Sequence, residues 1–173
     1  LAGSASVISV AGTGWVKKED LVLRSGGAVG DQLLVTGLLG GSIHGKHLSF
    51  TPRVSEARWL TENFDLHAMM DISDGLLLDA SRIADASGVA IEIDIAKIPL
   101  SPDFVAIFGE GHEARLNAAT GGDDYQLLLT ASPETVLPTP VVQIGVCKAG
   151  SGITVFNEGQ QIERPTNLGF IHA

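Results

Sequence analysis

The chain has a single cysteine, Cys147, which excludes an intramolecular disulfide framework and a cysteine-rich zinc site. A lone thiol of this kind reads as a small buried apolar side chain. Basic residues are also scarce: eleven Lys and Arg stand against twenty Asp and Glu, a formal net charge of −9. That balance argues against nucleic acid as a partner through a general phosphate-backbone surface, and a phosphate-bearing ligand would have to be met through metal ions. No uninterrupted apolar stretch approaches the roughly 18 residues that cross a bilayer, and no basic-then-apolar leader opens the sequence. The expectation is a cytoplasmic protein with no membrane partner. An initiator methionine is missing too: Leu1 leads almost directly into Val7-Ile-Ser-Val-Ala, which reads as a piece of something longer. No triad of nucleophile, base and orienting acid is legible, nor any internal repeat or low-complexity tract.

What is present suits one compact domain with a real core, 173 residues with 45% hydrophobic content. Residues 5–11 and 32–36 read as strands, joined by a glycine-rich connection through Arg24-Ser-Gly-Gly-Ala-Val-Gly30-Asp31. Thr51-Pro52 looks like a helix N-cap followed by proline in the first turn, and Val54, Ala57, Leu60 and Phe64 recur at helical spacing, so a helix is expected from about 52 to 64. After a short strand ending near Met70, Leu76, Ala80, Ile83 and Ala84 share one face of a helix that Gly88 can close in a left-handed cap. Val89, Ile91, Ile93 and Ile95 alternate with Ala90, Glu92 and Asp94, the period of a half-exposed strand. A helical patch at 102–109, strands at 124–130 and 141–147, and a hairpin around Asn157-Glu158-Gly159 complete the pass. The strand pair 89–95 and 124–130 and the terminal hairpin point to an α+β fold, a mixed sheet with helices packed on it.

Two acidic clusters lie at element boundaries. In Asp71-Ile-Ser73-Asp74-Gly75, a helix starting at Ser73 or Asp74 would carry both carboxylates beside its N-terminus. Magnesium commonly takes one or two carboxylates plus substrate phosphates, and Ser73 could give a hydroxyl or N–H to a phosphate at the positive end of the helix. Spacing alone equally allows Ser73 or Asp74 as an N-cap and Asp71 as its solvated neighbour. In Gly121-Gly-Asp123-Asp124-Tyr125, a flexible turn would let Asp123 or Asp124 accept hydrogen bonds from a cationic or amino-bearing ligand; an acidic turn ahead of a strand is the other reading. Arg24, among glycines, could clamp a nucleotide phosphate or simply be exposed. Gly40-Gly-Ser-Ile-His-Gly45-Lys46-His47 fits a phosphate-binding loop except that His47 stands where a metal-binding hydroxyl is required, and reads as a loose turn into a short helix. His44 and His47 lack partners at zinc-ligand spacing.

Together these segments resemble the thiamine-monophosphate kinase family, whose superfamily also holds aminoimidazole ribonucleotide synthetase, selenophosphate synthetase and a hydrogenase maturation factor. The matching pieces, in order, are Leu23-Arg24-Ser-Gly-Gly-Ala-Val-Gly-Asp31, Val35-Thr36-Gly37 with Gly40 and Ser42, Asp71-Ile-Ser-Asp-Gly-Leu76, Gly121-Gly-Asp-Asp-Tyr-Gln-Leu127 and Gly169-Phe170-Ile-His172; the last residue, Ala173, departs from the family pattern.

The resemblance implies Mg2+ on Asp71 and Asp74, ATP as co-substrate contacting Arg24 and Ser73, and thiamine phosphate contacting Asp123 and Phe170. It further implies transfer of the γ-phosphoryl group of ATP to thiamine phosphate with no protein nucleophile, and a homodimer when full length. Only the family's C-terminal domain is matched. Residues 1–20 would be the last strand and connection of a missing N-terminal domain, residues 21–173 the C-terminal ATP- and substrate-binding domain, and the fragment alone inactive. An enzyme of the same superfamily with another substrate and a noncatalytic ligand-binding module are the alternatives.

Overall fold

A run of apolar residues must bury itself on two sides, and an alternating run on one. The computed structural model describes residues 9–42 and 45–171. Its elements are β1 (Gln32–Thr36), α1 (Val54–Asn63), β2 (Leu66–Asp71), α2 (Leu76–Ser87), β3 (Ala90–Asp94), α3 (Pro102–Phe108), α4 (His112–Thr120), β4 (Leu127–Ala131), β5 (Val141–Lys148), β6 (Gly152–Asn157) and β7 (Gln160–Gln161). The seven strands form one sheet in the order β2-β4-β1-β5-β3-β6-β7. The β3–β6 pairing is parallel and the others are antiparallel, so the sheet is mixed, as expected.

Strands β1 and β4 are buried at every position because both faces of the sheet centre are covered. Helix α2 packs Leu76, Leu77, Ala80, Ile83 and Ala84 over one face, against Ala68, Met70, Ile91, Ile93 and Leu128. On the other face, Leu60 of α1 sits with Leu34, Leu66, Leu129 and Ala131. Burying each such side chain contributes about 1.5–3 kcal/mol relative to exposure, so the three layers, not helix propensity, hold α2 in place. Its end is the expected one, with Gly88 at φ 68°.

Several expectations need correction. Strand 5–11 falls partly outside the described residues, and residues 9–11 form no strand. Thr51 does not cap α1, which starts at Val54 behind Arg53, and Val54 remains 60% exposed. Strands 89–95 and 124–130 are not neighbours, because β1 and β5 lie between them. The second of these begins only at Leu127, since Asp123 and Tyr125 adopt φ of 64° and 50°, which no extended strand accommodates. Helix α2 begins at Leu76 rather than Ser73 or Asp74: Gly75 precedes it at φ 124°, outside the helical region. Helix α4, which buries only Ala114, Ala118 and Ala119, has too few large apolar residues to show a period.

Candidate functional site

Strand β2 delivers the Asp71–Gly75 turn to the edge of the sheet, and two distant segments close on it through backbone hydrogen bonds. From the first, Tyr125 N donates to Ile72 O (2.8 Å), Asp123 N to Ser73 O (2.8 Å), and Gln126 O accepts from Ile72 N (2.8 Å). From the second, Phe170 N donates to Asp74 O at 2.7 Å. The approaches are tight enough to need glycine: a Cβ on Gly122 would meet Ser73 O at 2.7 Å, and one on Gly169 would meet Asp74 O at 2.3 Å. Five residues singled out in the sequence, Asp71, Ser73, Asp74, Asp123 and Phe170, are therefore brought together.

Within the cluster the carboxylates have different surroundings. Asp71 and Asp123 are exposed. Asp124 is buried and accepts from Gly40 N at 2.8 Å, so of the two candidates in its turn only Asp123 is open to solvent. Asp74 is paired with Arg82 Nη1 at 2.6 Å. Tyr125 donates its hydroxyl to Asp123 Oδ1 at 2.8 Å, and that bond, desolvation and the fields of Asp123, Asp71 and Asp74 push the phenol above its ordinary range. Tyr125 stacks on Phe50, with ring centroids 4.0 Å apart and planes 18° from parallel. The pair lines a cleft of about 240 Å³ with Pro52, Val54 and Asp71.

Three contributors escaped the sequence reading. Asp79, fully buried, accepts from Ser73 N (3.0 Å) and Asp74 N (3.1 Å) through Oδ2 and from Arg82 Nη1 (2.5 Å) through Oδ1. Burial pushes its carboxyl up, against the amide of Asp74, the Arg82 charge and the amide of Ser73 that pull it down. The N–H of Ser73 is thus already engaged, and its hydroxyl is what it can offer a phosphate. Gln126 is the third: its Oε1 accepts from Thr36 Oγ1 (3.2 Å) and Arg53 Nε (3.1 Å), joining β1 to the start of α1 behind the cleft. The sequence signal for Asp79 and Arg82 was their spacing of one helical turn from each other on α2.

Arg24 is set back from the cluster. Its neighbour Leu23 accepts from Met69 N, and its own carbonyl accepts from Ser87 Oγ at the far end of α2. Arg24 is exposed, on a segment whose backbone lies beside Met69 of β2. The Gly40–His47 segment ends in a short 3-10 turn over Lys46–Leu48, in line with the loose-turn reading, while His44 and His172 lie outside the described residues. Cys147 is buried in the core, and burial followed by the charge of Asp31 pushes its thiol up to about 11, as suits an inert packing residue. Among the described residues no helix is long and apolar enough to cross a membrane.

Among the described residues no group of three or more His, Cys, Asp or Glu is arranged to hold a metal ion. Asp71 and Asp74 are hard oxygen donors, and one or two carboxylates with substrate phosphates completing the shell is the usual magnesium arrangement. The donor set fits that ion.

Residues 25–156 match the family model for AIR synthase related protein, C-terminal domain. The thiamine-monophosphate kinase of Rhodopirellula baltica is 34% identical, covering 95% of this chain and 54% of its own length. A solved structure of AaThiL complexed with AMPPCP and TMP superposes with a TM-score of 0.71 at 32% identity, covering 87% of this chain and 54% of that one. The thiamine-monophosphate kinase of Stenotrophomonas maltophilia K279a gives 0.70 at 29% identity, over 85% and 56%. HypE of E. coli shares the fold, with a TM-score of 0.60 at 18% identity over 80% of this chain and 50% of that one. The chain spans about half the length of the curated relatives it matches, and it belongs to the AIR synthase related protein family as its C-terminal domain.

Proposed function

We propose that this chain is the C-terminal domain of a magnesium-dependent thiamine-phosphate kinase, which transfers the γ-phosphoryl group of ATP to thiamine phosphate to give thiamine diphosphate and ADP. The observation that carries the reading is the backbone convergence of the three segments 71–75, 121–126 and 169–170 on one turn. It gathers exposed carboxylates, a serine and an aromatic at one rim. The relatives named thiamine-monophosphate kinase and the AaThiL complex with AMPPCP and TMP support it.

The acceptor is already an anionic phosphate, so the protein has no nucleophile to generate; its work is charge neutralisation and alignment in line with the leaving group. Asp71 and Asp74 would hold magnesium, which would supply charge neutralisation to the substrate phosphates. The hydroxyl of Ser73 contacts the polyphosphate. Arg24, on the segment beside Met69 of β2, takes another part of the same nucleotide. On the acceptor side, Asp123 and Phe170 contact thiamine phosphate. The cleft at Phe50 and Tyr125, about 240 Å³, is smaller than the roughly 300 Å³ at which whole-ligand pockets begin, and suits one ring. An aromatic pair under an acidic rim favours a cationic ring, and the thiazolium is the cationic ring of this substrate.

The test is turnover. The full-length protein, given ATP, thiamine phosphate and Mg2+, should form thiamine diphosphate, and the isolated 173-residue chain should not. Absence of product from the full-length protein overturns the kinase assignment; turnover by the fragment overturns the need for the rest of the molecule.

A further inference from the structure

The start of a helix, with its unpaired N–H groups and positive end, is ordinarily a ready anion site. In the turn just ahead of α2, two of the amides are taken from inside. Asp79 Oδ2 takes both turn amides, Ser73 N at 3.0 Å and Asp74 N at 3.1 Å, on a side chain with no exposure. A phosphate approaching the turn finds the amides of Ser73 and Asp74 already taken by a carboxylate. The turn therefore presents side-chain oxygens, which suit a cation.

The other oxygen of Asp79 is not idle. Arg82 Nη1 lies 2.5 Å from Asp79 Oδ1 and 2.6 Å from Asp74 Oδ2, so one guanidinium nitrogen bridges a buried carboxylate to a partly exposed one. Two effects follow. The bridge fixes where the Asp74 carboxylate points. Asp79 also holds Arg82 in shared custody, so that the arginine does not neutralise Asp74 alone.

We propose that Asp79 and Arg82 are positioning residues that set the magnesium affinity of the Asp71–Gly75 turn, Asp79 by holding the turn amides and sharing Arg82, and Arg82 by orienting Asp74. This rests on Asp71 and Asp74 being the metal ligands. Outer partners of metal ligands commonly change affinity by about 10–100-fold when altered. A helix cap with no further role would alter stability and leave metal affinity where it was.

The test uses the full-length protein with saturating AMPPCP, titrated with Mg2+ in a calorimeter, with thermal melts run beside it. Asp79→Asn keeps an oxygen for the amides and removes the charge, which leaves Arg82 to Asp74 alone; Mg2+ affinity should fall about tenfold or more. Arg82→Lys keeps the charge but puts it on a shorter, flexible stem in place of the rigid guanidinium whose Nη1 reaches both carboxylates, and should weaken Mg2+ by several-fold with a smaller change in melting. Asp71→Asn is the reference. If Asp71→Asn weakens Mg2+ while Arg82→Lys and Asp79→Asn melt cooperatively and titrate like the parent, the positioning role is overturned and the metal site stands. If Asp71→Asn also titrates like the parent, the metal-site reading itself fails. Should Asp79→Asn lose its cooperative melt, Arg82→Lys decides alone.

Discussion

The two acidic turns look alike in sequence and divide their carboxylates in the same way. In Gly121–Tyr125, Asp124 is buried on Gly40 N while its neighbour Asp123 stands exposed. In Asp71–Gly75, Asp74 is tied to Arg82 while Asp71 stands exposed. Each turn uses one acid to hold itself and offers another to solvent. The difference lies in the anchor. Asp124 is fastened to backbone and has a purely structural environment, whereas Asp74 is held by an exposed-sided arginine and keeps access to the rim. Burial and partner, not residue type, separate the two roles.

That division can be broken by substitution, beginning where the effect should be greatest. Asp71→Asn in the full-length protein should lower kcat/KM about 10²-fold, the scale of losing one charge-stabilising group, with an unchanged thermal melt; a melt that falls in step with activity would make Asp71 structural. Asp124→Ala strips Gly40 N of its buried acceptor. Such a loss costs about 1–3 kcal/mol, roughly 2–4 °C per kcal/mol in a domain of this size, and kcat at a temperature well below the melt should be kept. Asp123→Asn should raise KM for thiamine phosphate about tenfold, or ~1.4 kcal/mol, and leave KM for ATP near its original value; a matching rise for ATP would assign Asp123 to the nucleotide. Tyr125→Phe removes only the hydroxyl that braces Asp123, so a KM change within about threefold is expected, at the lower end, about 0.5 kcal/mol, of what a hydrogen bond contributes.

The smallest effect is in pH. The Tyr125 phenol is raised in the fold, so any stability it lends is present below the unfolded tyrosine value near 10 and is lost as pH climbs through the higher folded value. Phenolate absorbance at 295 nm should therefore appear at higher pH in the parent than in unfolded protein, and Asp123→Asn should narrow the gap.

The parts of the fold legible in sequence were those with a strong period or a strong terminator. Strand β3 alternates cleanly, and α2 carries its apolar stripe up to Gly88. Helix α4 was not legible because its contact face is alanine, and small residues pack closely without marking a period. Strand order was hidden because every pairing except the β6–β7 hairpin is set by residues far apart in the chain. The candidate site followed the same rule. Asp71, Asp74 and Asp123 announce themselves in glycine-bearing turns; Asp79 and Arg82 offer only their helical spacing and Gln126 nothing, since what each holds comes near only in the folded chain. Thr51 misled because a threonine before proline is a good cap, yet α1 begins behind Arg53, whose guanidinium binds Gln126 and Glu56.

The hydrogen bond from Phe170 to Asp74 ties the last described stretch of chain to a turn laid down less than halfway along it. On a ribosome, which releases a chain from its N-terminal end, β2 and α2 would emerge early with their turn open on one side. The turn would stay unfinished until the tail came free and docked. Synthesis that stopped short of Leu168 would therefore yield a sheet with its helices and a rim that never shuts, so a closed rim requires translation to have passed Phe170.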